Sequence, residues 1–103
     1  MSKLSITKNV NDQTLTADIA GRIDTATSPE LDSGIKSSLD GITKVILNFE
    51  QVEYISSAGL RVLLSLHKTM SANDGELVIS KPTEMVSEVF EVTGFSDILT
   101  IEN

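Results

Sequence analysis

A chain of 103 residues with 15 acidic against 8 basic side chains has a formal charge of −7, a field that repels a phosphate backbone at long range and argues against nucleic acid as a partner. Its composition is 40% hydrophobic and 22% charged, with no cysteine and one histidine, which fits a folded globular chain, excludes disulfides and thiol catalysis, and argues against a zinc site. The length suits one domain over residues 1–103 with one modest core.

Aliphatic runs such as Val45-Ile46-Leu47 and Val62-Leu63-Leu64 fall far short of the roughly 20 apolar residues that cross a bilayer. The opening Met1-Ser2-Lys3-Leu4-Ser5-Ile6 alternates polar and apolar residues and has no continuous apolar core of a secretory signal. A cytoplasmic protein without membrane insertion is expected.

Residues 4–19 read as two strands, because Leu4 and Ile6, then Leu15, Ala17 and Ile19, keep the period of two of a half-buried sheet. Asn11-Asp12 supplies the turn between them. After Gly21-Arg22-Ile23-Asp24, the stretch Thr27-Ser28-Pro29-Glu30 combines a hydroxyl cap, an early proline and a first-turn acid, which predicts a helix to about Leu39. Its stripe is Leu31, Ile35 and Leu39, with Gly34 weakening it and Asp40-Gly41 closing it.

Lys44 to Phe49 is a β-branched, nearly continuous apolar run, expected as a central strand covered on both faces. A loop follows around Glu50 to Tyr54, and a second helix opens near Ser57 with Gly59, Val62, Leu63, Leu66 and Met70 inward. Asp74-Gly75 turns the chain into a strand over residues 76–80, and Pro82 begins a helix with Met85, Val86, Val89 and Phe90 inward. Gly94 ends it with Phe95 as a hydrophobic latch, and Ile98 to Ile101 forms the last strand. The sum is an α/β domain with a mixed sheet of about five strands, an N-terminal hairpin followed by alternating helices and strands.

The stretch that carries chemistry is Tyr54-Ile55-Ser56-Ser57-Ala58-Gly59-Leu60-Arg61-Val62-Leu63-Leu64, where two hydroxyls meet a helix start and a small pair follows. A helix N-terminus leaves backbone N–H groups unpaired and favours negative charge. Serine there is equally a plain N-cap. Asp24, with Thr25 and Thr27 beside it, belongs at the carboxyl end of the neighbouring strand, where open α/β sheets place ligands; a local turn or cap accounts for it as well. Leu60 and Leu64, with Arg61 and Lys68 nearby, form either an exposed docking stripe or part of a wide buried face.

A hydrolytic role for Ser57 meets a distance problem. His67 is ten residues along the same helix, about 15 Å away at about 1.5 Å per residue, which precludes a serine–histidine dyad. Neither a P-loop nor a G-x-G-x-x-G pattern occurs, and Glu88 and Glu91 read as solvated charge. No enzyme, no metal and no cofactor is expected.

At this point the chain resembles the STAS domain, shared by bacterial anti-sigma-factor antagonists and the cytoplasmic ends of some anion transporters. Gly21-Arg22-Ile23-Asp24, Val45 to Phe49, Tyr54 to Leu64 and Gly94-Phe95 correspond in order and spacing to the elements of that family. The resemblance implies an antagonist that binds an anti-sigma factor with serine-kinase activity and thereby releases a sigma factor. Phosphorylation of Ser57 blocks binding, and a serine phosphatase restores it. It implies a contact surface of Asp24, Thr25, Thr27, Ser56, Ser57, Leu60, Arg61 and Leu64. The residue before the acceptor is commonly aspartate in such antagonists and is Ser56 here, a rival hydroxyl. The residue after it, commonly serine or threonine, is Ala58. A non-phosphorylated STAS scaffold within a larger signalling or lipid-transport assembly is the alternative.

Overall fold

The computed structural model describes residues 4–102; Met1-Ser2-Lys3, read above as the start of the alternating pattern, lie outside the described residues. The chain runs β1 (Leu4–Asn11), β2 (Thr14–Ile23), α1 (Ser28–Lys36), β3 (Lys44–Ile55), α2 (Ser57–Ala72), β4 (Glu76–Ser80), α3 (Glu84–Thr93), a short 3-10 turn (Phe95–Asp97) and β5 (Thr100–Glu102). Strand order follows chain order, β1-β2-β3-β4-β5. Only the β1–β2 hairpin is antiparallel; β2, β3, β4 and β5 pair in parallel.

Three parallel steps in one direction with right-handed crossovers put all connecting helices on the same face. The core agrees: Leu31 and Ile35 of α1, Leu60, Leu63, Leu66 and Met70 of α2, and Val86 and Phe90 of α3 form one cluster with Leu15, Ala17 and Ile19, with Val45, Leu47 and Phe49, and with Leu77 and Ile79. The Phe49 and Phe90 rings lie 6.4 Å apart, within the range of favourable aromatic pairing. On the opposite face Ser5, Thr7 and Asp18 are exposed, and Ile46 and Asn48 are half-buried. The expectation that Lys44 to Phe49 is covered on both faces is therefore corrected, because no helix layer lies behind it.

Several boundaries also differ from the sequence reading. β2 continues to Ile23, and β3 runs to Ile55 where a loop is expected. Asp18 pairs with Asn48 but Ala20 with Gln51, and Gly21 pairs with Val52 but Arg22 with Tyr54. β3 thus accommodates an extra residue twice and resumes pairing each time, with Gly21 at φ 111°, a value suited to glycine. α1 stops at Lys36 and leaves Leu39 half-buried beyond it. α3 begins at Glu84 behind Thr83, whose Oγ1 accepts from the Val86 N–H at 3.3 Å, so Pro82 lies outside the helix. Met85 is 58% exposed, not inward. The 3-10 turn occupies part of the segment expected as strand, so β5 starts at Thr100 and Ile98 is exposed.

Candidate functional site at the start of α2

β2 and β3 end side by side, with Ile23 opposite Ile55. From that edge the chain turns directly into α2. The N–H of Ser56 donates to the Ile23 carbonyl at 2.8 Å, which locks the helix entry to the residue preceding Asp24. Ser56 is extended (φ −95°, ψ 176°), and its Oγ accepts from the Gly59 N–H at 3.3 Å, the geometry of an N-cap. Ser57 is therefore the first helical residue and not the cap. Its side chain is exposed, and among the described residues nothing hydrogen-bonds its Oγ.

Gly59 determines how closely α2 approaches the sheet. A Cβ there would stand 2.6 Å from Cγ2 of Ile23 and 2.7 Å from Cγ1 of Ile55, separations that real side chains do not tolerate. Without that side chain the helix start seats on the two strand ends, and Ser57 is carried at the rim of the carboxyl edge.

Asp24 follows Ile23 and folds back on its own turn. Its Oδ1 accepts from the N–H groups of Ala26 and Thr27, both at 3.0 Å. The Thr27 hydroxyl accepts from the Asp24 N–H at 2.9 Å and donates to the Arg22 carbonyl at 2.7 Å, so it braces the β2–α1 turn and does not cap α1. The carboxyl is held below its ordinary 3.8, first by the N–H of Thr27. The Thr27 hydroxyl, the Ala26 N–H and the nearby Arg22 guanidinium act in the same direction, against desolvation. Arg22 is itself stacked on Tyr54, 4.4 Å from the ring centroid.

Of the residues expected at the contact surface, the structure brings Asp24, Ser56 and Ser57 together at the junction of β2, β3 and α2 and leaves Thr25, Ser57 and Arg61 exposed. Arg61 lies one turn after Ser57, hence on the same helix face. Leu64 is half-exposed and lines a shallow groove with Arg61, Ser65, Lys68 and Thr69. Thr27 is 4% and Leu60 6% exposed, which corrects both as surface contacts: the first is consumed in its turn and the second packs in the core. Val62, expected inward, is half-buried, so the buried face of α2 is rotated toward Leu60. Arg22 and Tyr54 were missed as neighbours of the site. Only the bulged register, which sets them opposite each other, brings them there.

His67 is on the same continuous α2 as Ser57, so the separation inferred from helical rise stands. Among the described residues no cluster of three or more histidine, cysteine or acidic side chains has the arrangement of a metal site. Among them, no helix is long and apolar enough to cross a membrane.

The sequence matches the STAS domain family over residues 5–103. This chain belongs to the STAS domain family. As a STAS domain it is 35% identical over 101 residues to a Bordetella bronchiseptica protein, BtrV, named as a candidate anti-sigma factor antagonist, the alignment covering 97% of this chain and 87% of that one. It is 31% identical over 100 residues to the anti-sigma-B factor antagonist of Staphylococcus aureus, covering 90% and 93% of the two chains. Among solved structures it superposes on the anti-sigma factor antagonist SpoIIAA in its unphosphorylated form with a TM-score of 0.82, at 20% identity over 96% of this chain and 89% of that one. The phosphorylated form of the Bacillus protein gives a TM-score of 0.74 at 19% identity, over 96% and 92%. These likenesses establish the five-stranded STAS fold. The named relatives are anti-sigma factor antagonists.

Proposed function

We propose that this STAS domain is a cytoplasmic anti-sigma factor antagonist. Its unphosphorylated form binds an anti-sigma factor with serine-kinase activity through the start of α2 and so frees a sigma factor. Phosphorylation of Ser57 ends the complex, and a serine phosphatase resets it. The observation that carries this reading is the division of labour between adjacent hydroxyls: Ser56 is engaged as the cap while Ser57 is exposed at the first helical position. Ser57 is the more accessible acceptor, because its hydroxyl is exposed and, among the described residues, unengaged, whereas Ser56 is half-buried with its Oγ held in the cap bond to Gly59. The relatives named as anti-sigma antagonists support the same reading over a scaffold role.

A phosphate adds about −1.5 to −2 charges to a surface that must be desolvated when a partner docks. Each 1.4 kcal/mol of lost affinity is about tenfold in Kd, so a few kcal/mol of desolvation and repulsion switches binding off without refolding. In this cycle the chain acts as substrate and ligand, and the Asp24 carboxylate beside the site is held by the N–H groups of its own turn.

The test is phosphotransfer: the protein is incubated with ATP and the kinase, and the phosphate is mapped by mass spectrometry. Modification at Ser57 is expected, with Ser57→Ala retaining binding but resisting release and Ser57→Asp binding weakly. A kinase active on its other substrates that leaves Ser57 untouched defeats the proposal, as does equal binding of the two variants.

A further inference from the structure

The outer side of α3 departs from what a solvated helix face should be. Met85 is 58% and Val92 80% exposed, and with half-buried Val89 they recur at i, i+4 and i+7, hence in one stripe. The helix has already satisfied the core with Val86 and Phe90, both fully buried. In the second stripe only Val89 rests partly against the core, and Met85 and Val92 are left facing outward. The stripe lines a shallow groove formed by Met85, Glu88, Val89, Val92 and Thr93, and the Thr93 hydroxyl is turned back onto the Val89 carbonyl at 2.7 Å.

Charge decides what suits this groove. Glu84, Glu88 and Glu91 are all exposed and fall on one side of the stripe by helical spacing, and α3 contains no basic residue. A second copy of the chain is a poor occupant, because a two-fold contact would set this acidic row against itself in a chain of formal charge −7. We propose that α3 is a second docking surface, for a helix of a partner protein whose apolar ridge is flanked by lysine or arginine. Apolar anchors in the groove supply affinity, and the carboxylates orient the partner and speed its encounter. Ser57 does not belong to this surface, so docking on α3 is independent of the state of α2 and of the function proposed above.

A labelled synthetic helical peptide with leucines at i, i+4 and i+7 beside a row of lysines probes the surface, with a counterpart in which the lysines are glutamates. Circular dichroism first confirms that Met85→Ser/Val92→Ser and Glu84→Gln/Glu88→Gln/Glu91→Gln are folded, as substitutions at exposed positions should be. Fluorescence anisotropy is expected to show binding of the lysine peptide to wild type, roughly tenfold weaker binding to either variant, and no change with Ser57→Asp. Amide shifts should map to residues 84–93. The proposal is overturned by absence of binding, by equal binding of the glutamate peptide, or by undiminished binding to Met85→Ser/Val92→Ser. It is equally overturned if sedimentation shows a wild-type dimer that those substitutions abolish, since the second copy would then be the occupant.

Discussion

Gly59 and Ile23 are in contact so close that a single added carbon on the glycine would stand 2.6 Å from the isoleucine Cγ2. Gly59→Ala should therefore destabilise the domain, although alanine is the better helix former by about 1 kcal/mol. Overpacking of about 1 to 3 kcal/mol outweighs that gain, because the nearest atoms belong to the buried Ile23 and Ile55 at the strand ends. A lower urea midpoint with an unchanged m-value is the expected outcome. An unchanged or higher midpoint would show that α2 can lift off the sheet at little cost.

The two serines should respond differently to removal of their hydroxyls. Ser56→Ala deletes the cap bond to Gly59 and should cost about 1 kcal/mol, or about 4 to 8 °C in melting temperature for a domain of this size. Ser57→Ala, at an exposed first helical position, should stay within about 0.5 kcal/mol of wild type. Thermal melts of the two variants check this, and equal losses would contradict the assignment of cap and free hydroxyl.

Asp24 predicts a pH dependence. Its folded carboxyl titrates below the ordinary 3.8, so the unfolded chain takes up the proton first as pH falls. The stabilisation is therefore full above about pH 4 and is lost as pH drops through the folded value. Asp24→Asn, which keeps an acceptor but no charge, should be less stable than wild type at neutral pH, and the gap should close in acid. Arg22→Gln removes a cation that acts on this carboxyl, and a carbon-detected NMR titration should find Asp24 shifted upward.

Arg61 offers a chemical readout of the modified state. With phosphoserine placed at position 57 during translation, the i, i+4 relation on α2 brings the phosphate within reach of the guanidinium. Its second pKa, ordinarily about 6, should rise when Arg61 is replaced by glutamine. Phosphorus NMR titration of the two proteins gives the answer, and identical curves would place Arg61 out of contact.

Much of this architecture is legible in the residues. Leu15, Ala17 and Ile19 alternate because one sheet face is bare, and Val86 and Phe90 keep helical spacing because α3 packs on one side. The second half of β3 was not legible: Glu50 and Gln51 are both exposed, and the extra residues break the period of two just where pairing resumes. The phase of α2 was ambiguous for a different reason. Its apolar residues cover so much of the helix circumference that Leu60 and Val62 are both plausible flanks of the core, and only packing selects Leu60. At the site, the serine pair marked the helix start, but which serine caps it depends on where the Ile23 carbonyl ends up, a contact 33 residues away in sequence.

The unbroken strand order β1-β2-β3-β4-β5 has a consequence for how the domain is made. Each strand pairs with the one just before it, so every loop to be closed spans no more than one crossover, and the entropy of closure stays small. Parallel pairing is slow to form by nature, and this order keeps the sequence separation of paired strands near the least that a crossover allows. A hairpin can form first, and each later strand then docks on an edge already in place as it leaves the ribosome. The nascent chain never has to prise open a finished pair to insert another strand.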